Sequence, residues 1–310
     1  VAERTEKLAR ANESLHRSET YMADAQRLSH MGSWAFNVVT REIVHWSQEH
    51  LRIFGFDPKN GMPSFETLFQ RIHPDDRANA SEILERAIHD GTDYEQDFRI
   101  VLPDGTTKYM HATGHPVFNS SGDPVEFLGT VIDVTERKRV EEERQAHLWF
   151  LESMDRINRV IQGTNNLEQM MSDVLDAVLL IFNCDRSWLV YPCDPEAISW
   201  KVPMEHARSE FPGAFALGLD LPMDSEVATG FRTVRASGSP VRFGPEAEHG
   251  LPAETAKRFS IQSAIAMAVY PKGDQPYMLG LHQCSYPRVW KPEEERLFQE
   301  IGRRLEDALT

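Results

Sequence analysis

Residues 133–161 read DVTERKRVEEERQAHLWFLESMDRINRVI, with neither Gly nor Pro. Val140, His147, Met154 and Ile161 recur every seven residues, with Phe150 and Ile157 at the intervening position. This spacing predicts a long helix whose apolar stripe meets a partner helix, in the manner of a coiled coil. Asp133 or Thr135 can cap its start, because a side-chain oxygen there accepts a backbone N–H that the helix itself leaves unpaired. A strand-patterned block precedes this stretch and a second block with its own core pattern follows. The chain is therefore expected to form two bodies joined by a helix.

Length agrees, since 310 residues suggest about two domains at ~150 residues each. A net charge of −15 argues against nucleic-acid and anionic-membrane partners, both of which select basic patches. No apolar run approaches the ~18 residues of a membrane span, and no leader pattern opens the chain. Three Cys without a close C-x-x-C pair form no disulfide framework and point to a reducing, cytoplasmic setting. Residues 1–26 carry a second heptad seam, Val1, Leu8, Leu15 and Met22, with Ala11, Ser18 and Ala25 between. Both ends of the chain fall in charged helical patterns, so the sequence reads as a piece of a longer protein. The two seams predict a parallel homodimer.

The first block alternates at residues 32–39 (Trp34, Phe36 and Val38 on one side), has a short strand at 42–46, and then a helix that Ser47 caps and Gly55 ends. Helices are expected at 65–72 and 75–89, split by His73-Pro74. Strands follow at 94–102, 106–118 and 124–134, with Asp104-Gly105 as a hairpin signal. GSWAFNVVTREIVHWSQEHLRIFGF, RIHPDDR and YEQDFRIVLPDGTTKYMHATGHPVFNSSGDPVEFLGTVIDVTERKR together resemble a PAS domain with its C-terminal PAC motif. The resemblance implies a sensory, dimerising module with a cleft between helices and sheet, its core filled by Trp46, Phe54, Phe98 and Val101. It also implies that Asp133 and Thr135 fix the strand-to-helix exit and relay signal. No Cys precedes Cys184, so the light-sensing flavin subtype lacks its nucleophile. A haem subtype would need an axial ligand, for which His73 and His89 are the nearest candidates.

In the second block an apolar helix is expected at 167–182, strands at 184–191 and 199–202, a loop-rich stretch at 203–252, buried strands at 263–270 and 277–283, and an amphipathic helix at 293–309. This order, ending LGLHQCSYPRVWKPEEERLFQEIGRRL, resembles a GAF domain of bacterial sensor kinases, including bilin-binding ones. The resemblance implies a pocket between the sheet and residues 203–252, with Trp188, His282 and Cys284 nearest it. Residues 201–262 contain no Cys for a covalent bilin thioether.

The expected fold class is α+β: two antiparallel-sheet domains, PAS then GAF, joined by a coiled-coil-like helix. Expected bounds are a helix at 1–24, PAS at 25–137, a connecting helix at 138–160 and GAF at 161–310. No Walker-type loop, ATP-binding boxes, cyclase signature or zinc-ligand spacing occurs, so no catalytic or metal-binding residue is assigned. The expected function is the sensory and relay part of a signalling protein, foremost a sensor histidine kinase, with a kinase or other output domain beyond residue 310. Alternatives are a cofactor-binding sensor, the sensory part of a diguanylate cyclase or transcription activator, and, remotely, a GAF-type methionine sulfoxide reductase. No cofactor is required, and a small-molecule ligand fits either domain.

Overall fold

The computed structural model describes residues 2–272 and 275–309; Val1, the first position of the N-terminal seam, and Thr310 lie outside the described residues. The chain divides into two units, Val1–Glu143 and Arg144–Thr310.

The first unit runs α1 (Ala2–Leu28), β1 (Met31–Asn37), β2 (Ile43–Trp46), α2 (Gln48–Ile53), α3 (Phe65–Phe69), α4 (Pro74–Asp90), β3 (Tyr94–Val101), β4 (Thr107–Phe118) and β5 (Pro124–Asp133). Its five-stranded sheet has the order β2-β1-β5-β4-β3 and is antiparallel throughout. The β3–β4 hairpin turns at Gly105, whose φ of 86° suits glycine, and Asp104 Oδ1 accepts the Thr106 N–H at 2.9 Å. Side-chain oxygens or nitrogens of Ser47, Ser64 and His73 cap α2, α3 and α4. Residues 71–77 make a braced corner: Arg77 donates to the carbonyls of Gln70 and Ile72, and Arg99 holds Asp76 at 2.7 Å. On β3, Tyr94, Gln96, Phe98 and Ile100 face the core. Val101, expected in that core, falls on the opposite face because alternation gives the position to Ile100, which is fully buried.

Helix α5 (Thr135–Gln162) follows β5 with one residue between. The second half of its seam does not await a partner helix. Met154 and Ile157 are buried in the core of the second unit, and Phe150 and Ile161 pack against that core. Heptad spacing marks an apolar stripe without specifying what covers it, and here the chain's own domain covers this part. Val140, Leu148 and Leu151 remain exposed. On α1, Leu8, Leu15 and Met22 are all exposed, at 64%, 56% and 63%.

The second unit continues with α6 (Leu167–Phe182), β6 (Arg186–Tyr191), β7 (Ser199–Ala207), β8 (Leu221–Pro222), α7 (Ser225–Ala236), β9 (Val241–Phe243), α8 (Ala253–Arg258), β10 (Ser263–Val269), β11 (Tyr277–Gln283) and α9 (Pro292–Ala308). The six strands run β8-β7-β6-β11-β10-β9. Alternation splits the sheet between two cores. Leu189, Ile265, Leu279 and Leu281 meet α5, α6 and α9, while Trp188, Val190, Ala264, Ala266 and Met278 meet α7 and its surroundings. With both faces covered, β6 from Trp188 and β10 from Ala264 read as continuous apolar runs.

The stretch 203–252 is more ordered than its Gly, Pro and charge content suggests. It contains the end of β7, all of α7 and β9. Helix α7 is carried by Val227, Phe231 and Val234 alone, and Asp224 Oδ1 accepts the Val227 N–H at 2.8 Å. The i, i+4, i+7 signal was present but diluted by Gly230 and exposed polar residues.

Candidate functional site

Each unit encloses a cavity built on a cross-strand Trp–Gly pair. In the second unit Trp188 lies opposite Gly280, and a Cβ at Gly280 would come within 2.1 Å of the indole. In the first, Trp34 lies opposite Gly129, where a Cβ would come within 2.4 Å of its ring. The missing side chain lets each indole lie flat on the sheet as a cavity floor.

The second-unit cavity, about 110 Å³, lies between the sheet and helices α7 and α8, with Trp188, Trp200, Phe231, Phe243 and Phe259 among its walls. Its polar margin is Arg186, Glu205 and His282. Arg186 is 1% exposed and donates to the carbonyls of Phe211, Pro212 and Phe259. It also donates to His282 Nδ1 at 3.1 Å; a guanidinium only donates, so that nitrogen accepts and the imidazole proton sits on Nε2. Burial and then the Arg186 charge push the His282 pKa well below the usual imidazole value. Burial raises the Glu205 carboxyl, opposed by Arg186 and by the Gly213 N–H at 2.9 Å. Arg186 spends its donors on the protein's own carbonyls and on His282, and the remaining walls form an aromatic chamber suited to an uncharged ligand. The indole N–H groups of Trp188 and Trp200 are buried without a partner.

Trp188 and His282 thus line the cavity, with ring centres 4.9 Å apart. Cys284 does not. Strand β11 ends at Gln283, and the chain then wraps around Asp185, which accepts the backbone N–H of Cys284 and Ser285 at 2.8 Å each. That turn takes Cys284 out of strand alternation and sets its thiol 3.9 Å from the Phe259 carbonyl. All three cysteines are free and buried. Burial pushes Cys184 and Cys193 up to about 12 and Cys284 up to about 11, so none is a ready thiolate at neutral pH.

The first-unit cavity, about 70 Å³, has Trp46, Phe54 and Phe98 in its wall, with Trp34 and Tyr94. Neither expected haem ligand reaches it. His73 caps α4, its Nδ1 accepting the Asp75 N–H at 3.3 Å, and the side chain of His89 is 88% exposed. The histidine on the wall is His50, whose ring is stacked between Trp46 and Phe54 at 5.1 and 4.9 Å. Trp46 ends β2, His50 lies on α2 and Phe54 follows α2, so the strand-to-helix turn at Ser47 brings all three to one wall.

The third feature is the exit from β5 into α5. Asp133 Oδ1 accepts the N–H and the hydroxyl of Thr135, at 3.0 and 2.5 Å, and its other oxygen pairs with Lys108 at 2.9 Å. Thr135 Oγ1 accepts the Tyr109 N–H at 3.0 Å. Asp133 therefore does the capping, while the Thr135 oxygen reaches back to β4. Burial would raise the Asp133 carboxyl, but the Thr135 hydrogen bonds and the Lys108 ammonium outweigh it and hold the pKa below the usual carboxylate value. Next to the exit, Lys138 of α5 lies 3.4 Å from Asp97, the neighbour of cavity residue Phe98 on β3.

Residues 43–131 match the PAS fold, and residues 166–309 match the GAF domain. A methyl sulfide methyltransferase-associated sensor of Methanosarcina acetivorans is 22% identical over 266 residues, 82% of this chain and 24% of its own length. A probable diguanylate cyclase of Escherichia coli is 24% identical over 112 residues, 36% of this chain and 10% of its own length. Among solved structures, a sensory box histidine kinase/response regulator from Burkholderia thailandensis shares 27% identity with a TM-score of 0.35, over 41% of this chain and 95% of that one. The chain spans about a quarter or less of these curated relatives. Among the described residues, no helix is long and apolar enough to cross a membrane, and no His, Cys, Asp or Glu cluster could hold a metal ion.

Proposed function

This chain carries a PAS fold followed by a GAF domain, and we propose that it is the sensory and relay part of a cytoplasmic sensor histidine kinase, with the output domain beyond residue 310. The GAF cavity takes an uncharged small molecule against Trp188 and His282. The PAS sheet passes its state to α5 through Asp133 and Thr135. The observation that carries the reading is the exit itself. One carboxylate and one hydroxyl tie β4, the end of β5 and the first turn of α5 together, so a shift of the sheet moves the start of the helix. A coupling of ~1–3 kcal/mol between sites is within reach of a few such bonds.

The exposed stripe Leu8, Leu15 and Met22 on α1 supports self-association as a parallel homodimer, which brings two output domains together. The exposed side of α5, at Val140, Leu148 and Leu151, extends the same role along the connecting helix.

The test is made on the full-length protein with labelled ATP and, separately, GTP. Alkali-stable, acid-labile phosphate on the protein supports a histidine kinase. A cyclic dinucleotide from GTP would instead favour a cyclase output, the reading favoured by the cyclase relative. Neither product would overturn both.

A further inference from the structure

We propose that the PAS cavity binds a small, uncharged, ring-sized molecule bearing a polar hydrogen, and that this hydrogen is donated to a ring nitrogen of His50. The site is distinct from the GAF cavity and does not depend on which output the protein drives.

His50 is only 3% exposed, yet both its ring nitrogens lack a hydrogen-bond partner. A buried polar group without a partner is costly, and native cores rarely tolerate one without a reason. The ring is fixed: Trp46 and Phe54 stack on it, and Ser47 caps its helix by accepting the His50 N–H at 3.2 Å while also accepting the Ser33 N–H at 3.0 Å. Burial holds the imidazole neutral, with its pKa lowered to about 3, so it offers one donor and one acceptor nitrogen. A second buried group nearby is also incomplete. Gln96, on the same face of β3 as Phe98, takes the Tyr94 hydroxyl on Oε1 but leaves Nε2 unpartnered.

The walls define the ligand. None of the residues around this cavity is Asp, Glu, Lys or Arg, so no countercharge awaits an ion. Trp34, Phe36, Phe65, Tyr94 and Phe98 present aromatic surface on which a planar ring can lie. About 70 Å³ is available to the centres of water-sized molecules, where ~10–15 Å³ suffices for one water. The space therefore admits one ring or a few waters. Water needs several polar partners, and the aromatic walls supply few. A single ring with a hydroxyl or N–H meets both the walls and His50.

Phenol and benzene are the probes, titrated into the full chain and followed by the imidazole nitrogens in ¹⁵N-histidine-labelled protein. The His50 nitrogens, assigned by their loss in His50→Leu, should shift with phenol and not with benzene. His50→Leu should weaken phenol about fivefold relative to benzene, the size of one neutral hydrogen bond. His50→Gln, which keeps a donor and an acceptor, should retain most of the phenol preference. Unchanged circular dichroism in both variants shows that loss of binding is local. The proposal is overturned if neither probe binds, if phenol binds equally well to His50→Leu, or if the protein purifies with a Soret band, since a porphyrin would then occupy the site.

Discussion

Replacing Asp133 by Ala removes three interactions at the start of α5. Two are accepted from Thr135, at 3.0 and 2.5 Å, and one is the pair with Lys108 at 2.9 Å, whose side chains are 27% and 18% exposed. Loss of a capping side chain costs ~1 kcal/mol, hydrogen bonds to a charged acceptor contribute ~1.5–3 kcal/mol, and an ion pair still in reach of solvent ~0.2–1 kcal/mol. Water replaces part of what is lost, so we take ~2 kcal/mol as the local destabilisation. That corresponds to roughly 30-fold faster native-state hydrogen exchange at the first amides of α5, chiefly Lys138, whose N–H reaches the Val134 carbonyl at 2.9 Å. Amides in α6 should be unaffected. Because folding lowers the Asp133 pKa, its contribution is complete above the ordinary carboxylate value and disappears as pH falls through the lower folded value. The difference between wild type and variant should therefore be constant from pH 5 to 8 and shrink below about pH 4. Thr135→Ala should cost less, and the double variant less than the sum, since the two residues share a bond. Exchange at Lys138 that rises less than threefold in Asp133→Ala would refute the capping argument.

Gly280→Ala drives a Cβ into the Trp188 ring, so the indole must leave the cavity floor; an overpacking cost of ~1–3 kcal/mol should lower the melting temperature by several degrees, and an unchanged value would contradict the packing. At pH 8 a disulfide-exchange reagent should leave Cys184, Cys193 and Cys284 unmodified in the folded chain and titrate all three in denaturant, because burial keeps them protonated. Rapid labelling of the folded protein would revive thiol chemistry such as the reductase reading. Leu15→Glu places a charge on the exposed α1 stripe and should shift light-scattering mass toward the monomer; a wild type already monomeric at tens of micromolar, on the order of the concentrations used for such measurements, removes the homodimer.

Much of the fold was legible because it is locally encoded. The alternation in β3, the Asp104-Gly105 turn and the helical period of α6 each specify structure within a few residues. The cavities were less legible. Trp46, Phe54 and Phe98 announce themselves by size, but His50 faces the same space only because the turn from β2 into α2 at Ser47 folds it back against Trp46. Strand alternation would put Cys284 on the same face as His282, but Asp185, 99 residues before it, ends the strand there. The seam of α5 suggests a partner helix from another chain because spacing records that a stripe is apolar and not which chain covers it. Helix α7 is hidden for the opposite reason, its three buried apolar residues being sparse within a polar, Gly-containing stretch.

The central claim is that the state of the PAS sheet reaches the output through Asp133 and Thr135. The most direct measurement is the basal autophosphorylation rate of the full-length protein beside that of its Asp133→Ala/Thr135→Ala variant, at matched oligomeric state and unchanged circular dichroism. A loosened exit of ~2 kcal/mol should change that rate, in either direction, by about tenfold or more. Equal rates in the two proteins would mean that the exit is only a helix cap and that the signal takes another route.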